Sequence, residues 1–289
     1  MDFARMSEAR LPIRRHPAVS FRALVAGVFV LAAAGLAGCS SGEDDIPYEE
    51  RPVEQIYGKA MSHMDAREYI PATKEFDEVE RQHPYSEWAR RSMLMSAYAH
   101  YQVNQYDEAI LSAQRFISLH PSNRDVPYAY YLIGLSYYER ISDVGRDQKM
   151  TENALNSFYE LTRRFPTSEY ARDARLKIDL TLDHLAGKEM EIGRYYLTRR
   201  DYIAAINRFR AVIENYQTTS HTPEALERLT EAYLSLGIKT EAQTAAAILG
   251  YNFPGSDWYE DSYALLAEQG LEPQENKDSW ISRAWNSVF

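Results

Sequence analysis

One pattern is written five times along this chain: an alanine, a large apolar residue seven positions on, and usually a proline five beyond that. The copies are Ala72/Val79/Pro84, Ala109/Phe116/Pro121, Ala154/Leu161/Pro166, Ala205/Val212/Gln217 and Ala242/Leu249/Pro254. Only Gln217 breaks it. Self-similarity at this period means a stack of supersecondary units, each burying its apolar face on its neighbours. Seven residues is about two helical turns, so the alanine and the large residue share one face of a helix. The small residue lets a second helix approach, the large one fills the groove beyond, and the proline ends the helix.

A first helix is expected upstream in each copy. Small residues stand twelve positions before the alanine in four copies, at Ala60, Ala97, Gly193 and Thr230, and an aromatic stands three before it in three, at Tyr69, Tyr106 and Tyr202. This order resembles the tetratricopeptide repeat. The fold class is therefore all-α, a superhelical solenoid of five helix–turn–helix repeats over 53–255. Successive alanines are 37, 45, 51 and 37 residues apart. The polar stretch Arg140–Met150 reads as an inserted loop, and the proline-free Arg172–Arg199 as a lengthened first helix of the fourth repeat. Tyrosines at helical spacing read first as interhelix packing.

The first forty residues carry an address. Arg5, Arg10, Arg14, Arg15 and Arg22 precede an uncharged run, Ala23–Leu36, too short to span a bilayer and suited to an export signal. It ends Leu36-Ala37-Gly38-Cys39, at the chain's only cysteine, and resembles a bacterial lipoprotein signal with Cys39 as the acylated residue. The expected divisions are a signal at 1–38, a lipidated acidic tether at 39–52, the repeats, and a helical cap with an amphipathic tail at 256–289. Formal net charge is −10, and loss of a leader carrying +3 leaves −13, which disfavours nucleic acid as a partner. With one cysteine, no intrachain disulfide can form.

No metal-binding, nucleotide-binding or nucleophile motif is found, so neither enzyme activity, metal nor cofactor is expected. The seven histidines are scattered, and His83 and His120, each before a helix-ending proline, are expected to cap final helix carbonyls.

The chain as a whole, over about residues 48–255, resembles the BamD (ComL) family of outer-membrane β-barrel assembly lipoproteins. The residues that carry this are Ile56-Tyr57; Arg67-Glu-Tyr-Ile-Pro-Ala-Thr-Lys-Glu-Phe76; Gln82-His-Pro-Tyr-Ser86; Ala97-Tyr98-Ala-His-Tyr101; the run from Arg164 to Arg175; and Gly193-Arg-Tyr-Tyr-Leu-Thr-Arg-Arg-Asp-Tyr-Ile-Ala-Ala-Ile-Asn-Arg208. The resemblance implies five repeats with a long helix opening the fourth. It implies a lipid-anchored place at the periplasmic face of the outer membrane, without cofactor or nucleotide. Its partners would be the barrel-forming subunit, accessory lipoproteins and unfolded outer-membrane proteins. The arginine that pairs with the barrel subunit corresponds to Arg208. Amino-terminal repeats would receive substrates through a carboxy-terminal sorting signal, with Tyr98, Tyr101 and Asn104 as contacts. An alternative is another envelope repeat lipoprotein that coordinates peptidoglycan synthesis or cell division. The Phe165-Pro-Thr-Ser168 phrase suits both, while the lack of a sustained heptad pattern favours the first. In the tail, Trp280, Ile281, Ala284, Trp285, Val288 and Phe289 fall on one helical face, expected to cap the last repeat or, alternatively, to touch a partner subunit or the membrane surface.

Overall fold

The computed structural model describes residues 50–287. Cys39, the expected signal and most of the tether lie outside them, as do Val288 and Phe289. Among the described residues there are twelve helices and no strand. The first ten form five pairs: α1 (Val53–Asp65) with α2 (Tyr69–Gln82), α3 (Glu87–Gln102) with α4 (Tyr106–Leu119), α5 (Val126–Tyr138) with α6 (Lys149–Arg164), α7 (Glu169–Thr198) with α8 (Tyr202–Asn215), and α9 (Thr222–Ser235) with α10 (Lys239–Asn252). Then follow α11 (Asp257–Glu268) and a single-turn-and-a-half helix, α12 (Trp280–Trp285).

Every position of the repeating pattern has a physical task. The five alanines and Val79, Phe116, Leu161, Val212 and Leu249 are buried. Across from them stand Ala60, Ala97, Gly134, Gly193 and Thr230. The third copy's small residue is thus Gly134, displaced from its alanine by the inserted loop. Gly134 and Gly193 face phenylalanines: a Cβ on Gly134 would lie 2.7 Å from Phe158 Cδ1, and one on Gly193 2.8 Å from Phe209 Cδ1. The two glycines therefore make room for two buried rings, and they account for Gly193 inside a long helix, where glycine costs about 1 kcal/mol against alanine.

The turns repeat as closely. Each first helix of repeats one, two, four and five ends with a left-handed residue, Arg67 (φ 59°), Asn104 (φ 61°), Arg200 (φ 63°) or Gly237 (φ 74°). The next N–H reaches back five residues, as from Glu68 to His63 O and from Gln105 to His100 O, which closes a Schellman turn. Each second helix ends at the residue before the proline slot, at φ near −132° for His83, His120, Phe165 and Phe253. Two residues after the proline, Ser86, Ser168 and Ser256 accept from Ala89, Ala171 and Tyr259 N–H and so start the next first helix. The Phe-Pro-x-Ser phrase is thus a helix stop followed by a helix start. By the same signs α11 is the first helix of a sixth, unfinished repeat: it opens on Ser256 and closes on Gly270 (φ 65°).

Two expectations within the first three repeats are corrected. The inserted segment is helical from Lys149, so the loop covers 139–148. The His83 ring does not cap α2: its Nε2 lies 2.8 Å from Arg51 O, and it fastens the segment entering α1.

First helices stack on first helices, α1 on α3, α3 on α5, α5 on α7 and α9 on α11, while each second helix wedges between its own first helix and the next. Two faces result, one of first helices and one of second helices. The tail does not cover the end of the last repeat, where α11 already sits. It runs back to the second-helix side, and α12 packs on α8 and α10. There Ile281 and Trp285 are buried.

Candidate functional site: a tyrosine strip on the first-helix face

On α3, Trp88, Arg91, Met95, Tyr98 and Tyr101 follow one another at helical spacing and share a face. Tyr57 of α1 packs on Trp88 with ring centroids 4.7 Å apart, and the Arg91 guanidinium lies 5.5 Å from the Trp88 ring. Between α1, α3 and the turn before α5 lies a cleft of about 570 Å³. Its walls carry Tyr57, Leu94, Met95 and Phe116, and its cations are Arg90, Arg91 and Arg124. Arg91 is 3.5 Å from Glu87 and Arg124 3.5 Å from Asp125. Arg90 makes no ion pair among the described residues. The cleft therefore offers one uncommitted guanidinium beside an apolar wall.

One helical turn beyond Leu94 the surface changes character. Tyr98 and Tyr101 of α3, Tyr128 and Tyr131 of α5, and Tyr170 of α7 are all half-buried and form a strip across three successive first helices. Ring centroids are 5.2 Å apart for Tyr128–Tyr170 and 5.4 Å for Tyr131–Tyr170. Tyr101 donates to Glu139 Oε1 at 3.2 Å and Tyr131 to Asp173 Oδ2 at 2.5 Å. Burial, reinforced by Glu139, pushes the Tyr101 hydroxyl up to about 12. Burial also drives the Tyr128 and Tyr131 hydroxyls far up, helped at Tyr131 by the bond to Asp173. These hydroxyls stay protonated donors at any physiological pH.

The sequence-derived residues fall in three places. Tyr98 and Tyr101 belong to the strip. Asn104 is the left-handed residue of the α3–α4 turn, and its Oδ1 accepts from Tyr106 Oη at 2.8 Å. Asparagine tolerates that conformation, so the turn alone accounts for it. Arg208 is elsewhere, on α8, with Nη1 3.2 Å from Glu189 Oε2 of α7. Its side chain is 42% exposed, so the guanidinium keeps free donors toward solvent. Tyr128, Tyr131, Tyr170 and Arg90 escaped the sequence reading. The Tyr128-Ala-Tyr-Tyr131 run was the signal for two of them, but it lies in the copy whose spacing the inserted loop disturbs. Among the described residues no group of three His, Cys, Asp or Glu could hold a metal ion, and no helix is long and apolar enough to cross a membrane.

Comparison with known proteins decides the family. Residues 49–248 match the family described as YfiO, outer membrane lipoprotein. The chain is 54% identical to the outer membrane protein assembly factor BamD of Caulobacter vibrioides over 260 residues, 89% of this chain and 83% of that one. This chain belongs to the BamD family. It is also 46% identical to the Rickettsia prowazekii member, over 80% of this chain and 92% of that one. With the member from Neisseria meningitidis serogroup A, identity is 37% over 71% and 80% of the two chains. The family match ends within α10, so α11 and α12 lie beyond it.

Proposed function

We propose that this protein is the lipoprotein scaffold of an outer-membrane β-barrel assembly machine. Cys39 tethers it to the periplasmic face of the outer membrane, the repeats around Arg208 dock on the barrel-forming subunit, and the first-helix face of the early repeats receives unfolded outer-membrane proteins. The 54% identity to a named assembly factor across most of the chain carries this reading. Two features of the molecule support its details. The Arg90 cleft suits a chain-terminal carboxylate beside an apolar side chain, the chemistry of a carboxy-terminal signal. Arg208 is held by Glu189 with its fork half exposed, which suits a second, bidentate carboxylate from a partner.

The docking role is tested by Arg208→Glu beside Glu189→Gln, each purified from native envelope in mild detergent. Arg208→Glu should reduce recovery of the barrel-forming subunit at least tenfold with the helical circular dichroism signal unchanged. Glu189→Gln, which leaves the arginine free, should retain it. Full recovery with Arg208→Glu removes Arg208 from the interface.

A further inference from the structure

The tyrosine strip has properties that the Arg90 cleft lacks. Its five rings are half-buried, so each is already ordered and loses little side-chain entropy on contact. Its rim is acidic: Asp125, Glu139, Glu169 and Asp173 surround it. Asp125 is near Arg124 (3.5 Å) and Asp173 near Lys177 (3.8 Å), while neither Glu139 nor Glu169 pairs with a cation among the described residues. Tyr101 and Tyr131 spend their hydroxyl protons on Glu139 and Asp173. A ligand over the strip therefore meets ring faces and carboxylates and few donors. Lys177 lies 4.6 Å from the neighbouring Tyr138 ring, and Arg164 5.5 Å from Tyr130, so cations over tyrosine already occur on these helices.

We infer that Tyr98, Tyr101, Tyr128, Tyr131 and Tyr170 form a binding surface for an extended peptide segment bearing cationic and aromatic side chains. Side chains on one side of an extended strand recur about every 6.8 Å, so a strand crossing α3, α5 and α7 can set side chains against more than one ring of the strip. Its aromatic side chains can lie on the rings while its lysines or arginines reach Glu139 and Glu169. The acidic chain, at −10 overall, draws cationic segments in from a distance. This deepens the reading of the first-helix face as the receiving surface and rests on it. It adds that the body of the segment, not only its terminal carboxylate, is selected, and by positive charge.

The test uses two fluorescein-labelled twelve-residue peptides, one alternating Tyr and Lys and one alternating Tyr and Glu, titrated with the purified protein at physiological salt. The Tyr–Lys peptide should bind at least tenfold more tightly than the Tyr–Glu peptide. The double variant Tyr128→Leu, Tyr170→Leu should lose at least tenfold in affinity for it, while Tyr251→Leu on α10, 87% exposed, should not. Glu139→Gln keeps every ring and should weaken the Tyr–Lys peptide at least threefold, so the inference stays testable if the double variant folds poorly. Equal binding of the two peptides, or unchanged affinity in Glu139→Gln, overturns it. Recovery of the barrel-forming subunit is followed in the same variants. Loss of peptide binding with that complex intact shows two separate surfaces. An Arg208→Glu protein that fails to dock but binds the peptide normally leaves the strip standing.

Discussion

Single residues carry the tightest constraints in this fold. Gly193 exists because Phe209 needs its space: alanine there would put a methyl group into a fully buried ring. Gly193→Ala is therefore expected to destabilise the protein by about 1–3 kcal/mol despite alanine's higher helix propensity, and adding Phe209→Leu should recover part of the loss. Urea unfolding of the single and double variants measures both. A different constraint sits at Glu227, where other first helices carry Tyr57, Leu94, Tyr131 or Met190 in the same register. Its side chain is 3% exposed, 3.3 Å from Arg228 Nε. Burial pushes its carboxyl up to about 7, more than Arg228 lowers it, with Glu231, Asp261 and Glu224 adding to the rise. An acid whose folded value exceeds its unfolded value of 4.5 keeps its proton in the folded chain while the unfolded chain loses it. Stability should thus fall as pH rises from about 4.5 to about 7 and stay level above, a loss on the order of 3 kcal/mol at most. Glu227→Gln should flatten that window in thermal unfolding followed against pH. A slope unchanged in the variant contradicts this account of Glu227.

Elements show where the pattern could be read and where it could not. The alanine, apolar and proline columns placed all five second helices, because each column answers to a contact inside one repeat. The 30-residue α7 was legible from its missing prolines and its interval. The tyrosine strip was half legible. Tyr98 and Tyr101 lie on a regular first helix, but Tyr128, Tyr131 and Tyr170 join them only through contacts between repeats, which no single repeat's spacing records. Gln217 was seen as a fault in the pattern, and its reason was out of sight. Tyr216 ends α8 without a proline, at φ −135°, and Gln217 turns inward, donating to Ile213 O at 2.5 Å and to Ala284 O at 2.7 Å. The lost proline is thus the attachment point of a helix 67 residues away. Further ties hold the same segment: Trp280 Nε1 donates to Tyr233 Oη at 2.9 Å, Ser279 donates to Glu241 at 2.5 Å, and Arg210 covers the Trp280 ring at 4.7 Å. Gln217→Ala should cost about 1 kcal/mol, because it removes a side chain that ties the end of α8 to the tail, while Ala284 O keeps the bonds from Ser287 Oγ (2.7 Å) and Ser287 N–H (3.3 Å). It should also make tryptophan fluorescence more accessible to acrylamide. A variant with unchanged stability and quenching would show that Gln217 does not hold the tail.

At the scale of the whole molecule, the stack presents two different sides. First helices expose a surface that passes from a cleft with an uncommitted arginine, through a tyrosine strip, to the acid-rich α9. Second helices of the last repeats carry the tail and, on α8, Arg208. The proposed receiving and docking roles would use these two sides separately. The first-helix face is the proposed receiving side. Photo-crosslinkers placed singly at Tyr98 and Tyr128 on that face, and at Leu111 and Tyr251 on second helices, test it in growing cells. Positions 98 and 128 should crosslink newly exported, unfolded outer-membrane proteins, and positions 111 and 251 should not. Substrate captured equally from both faces, or only from 111 and 251, contradicts the account.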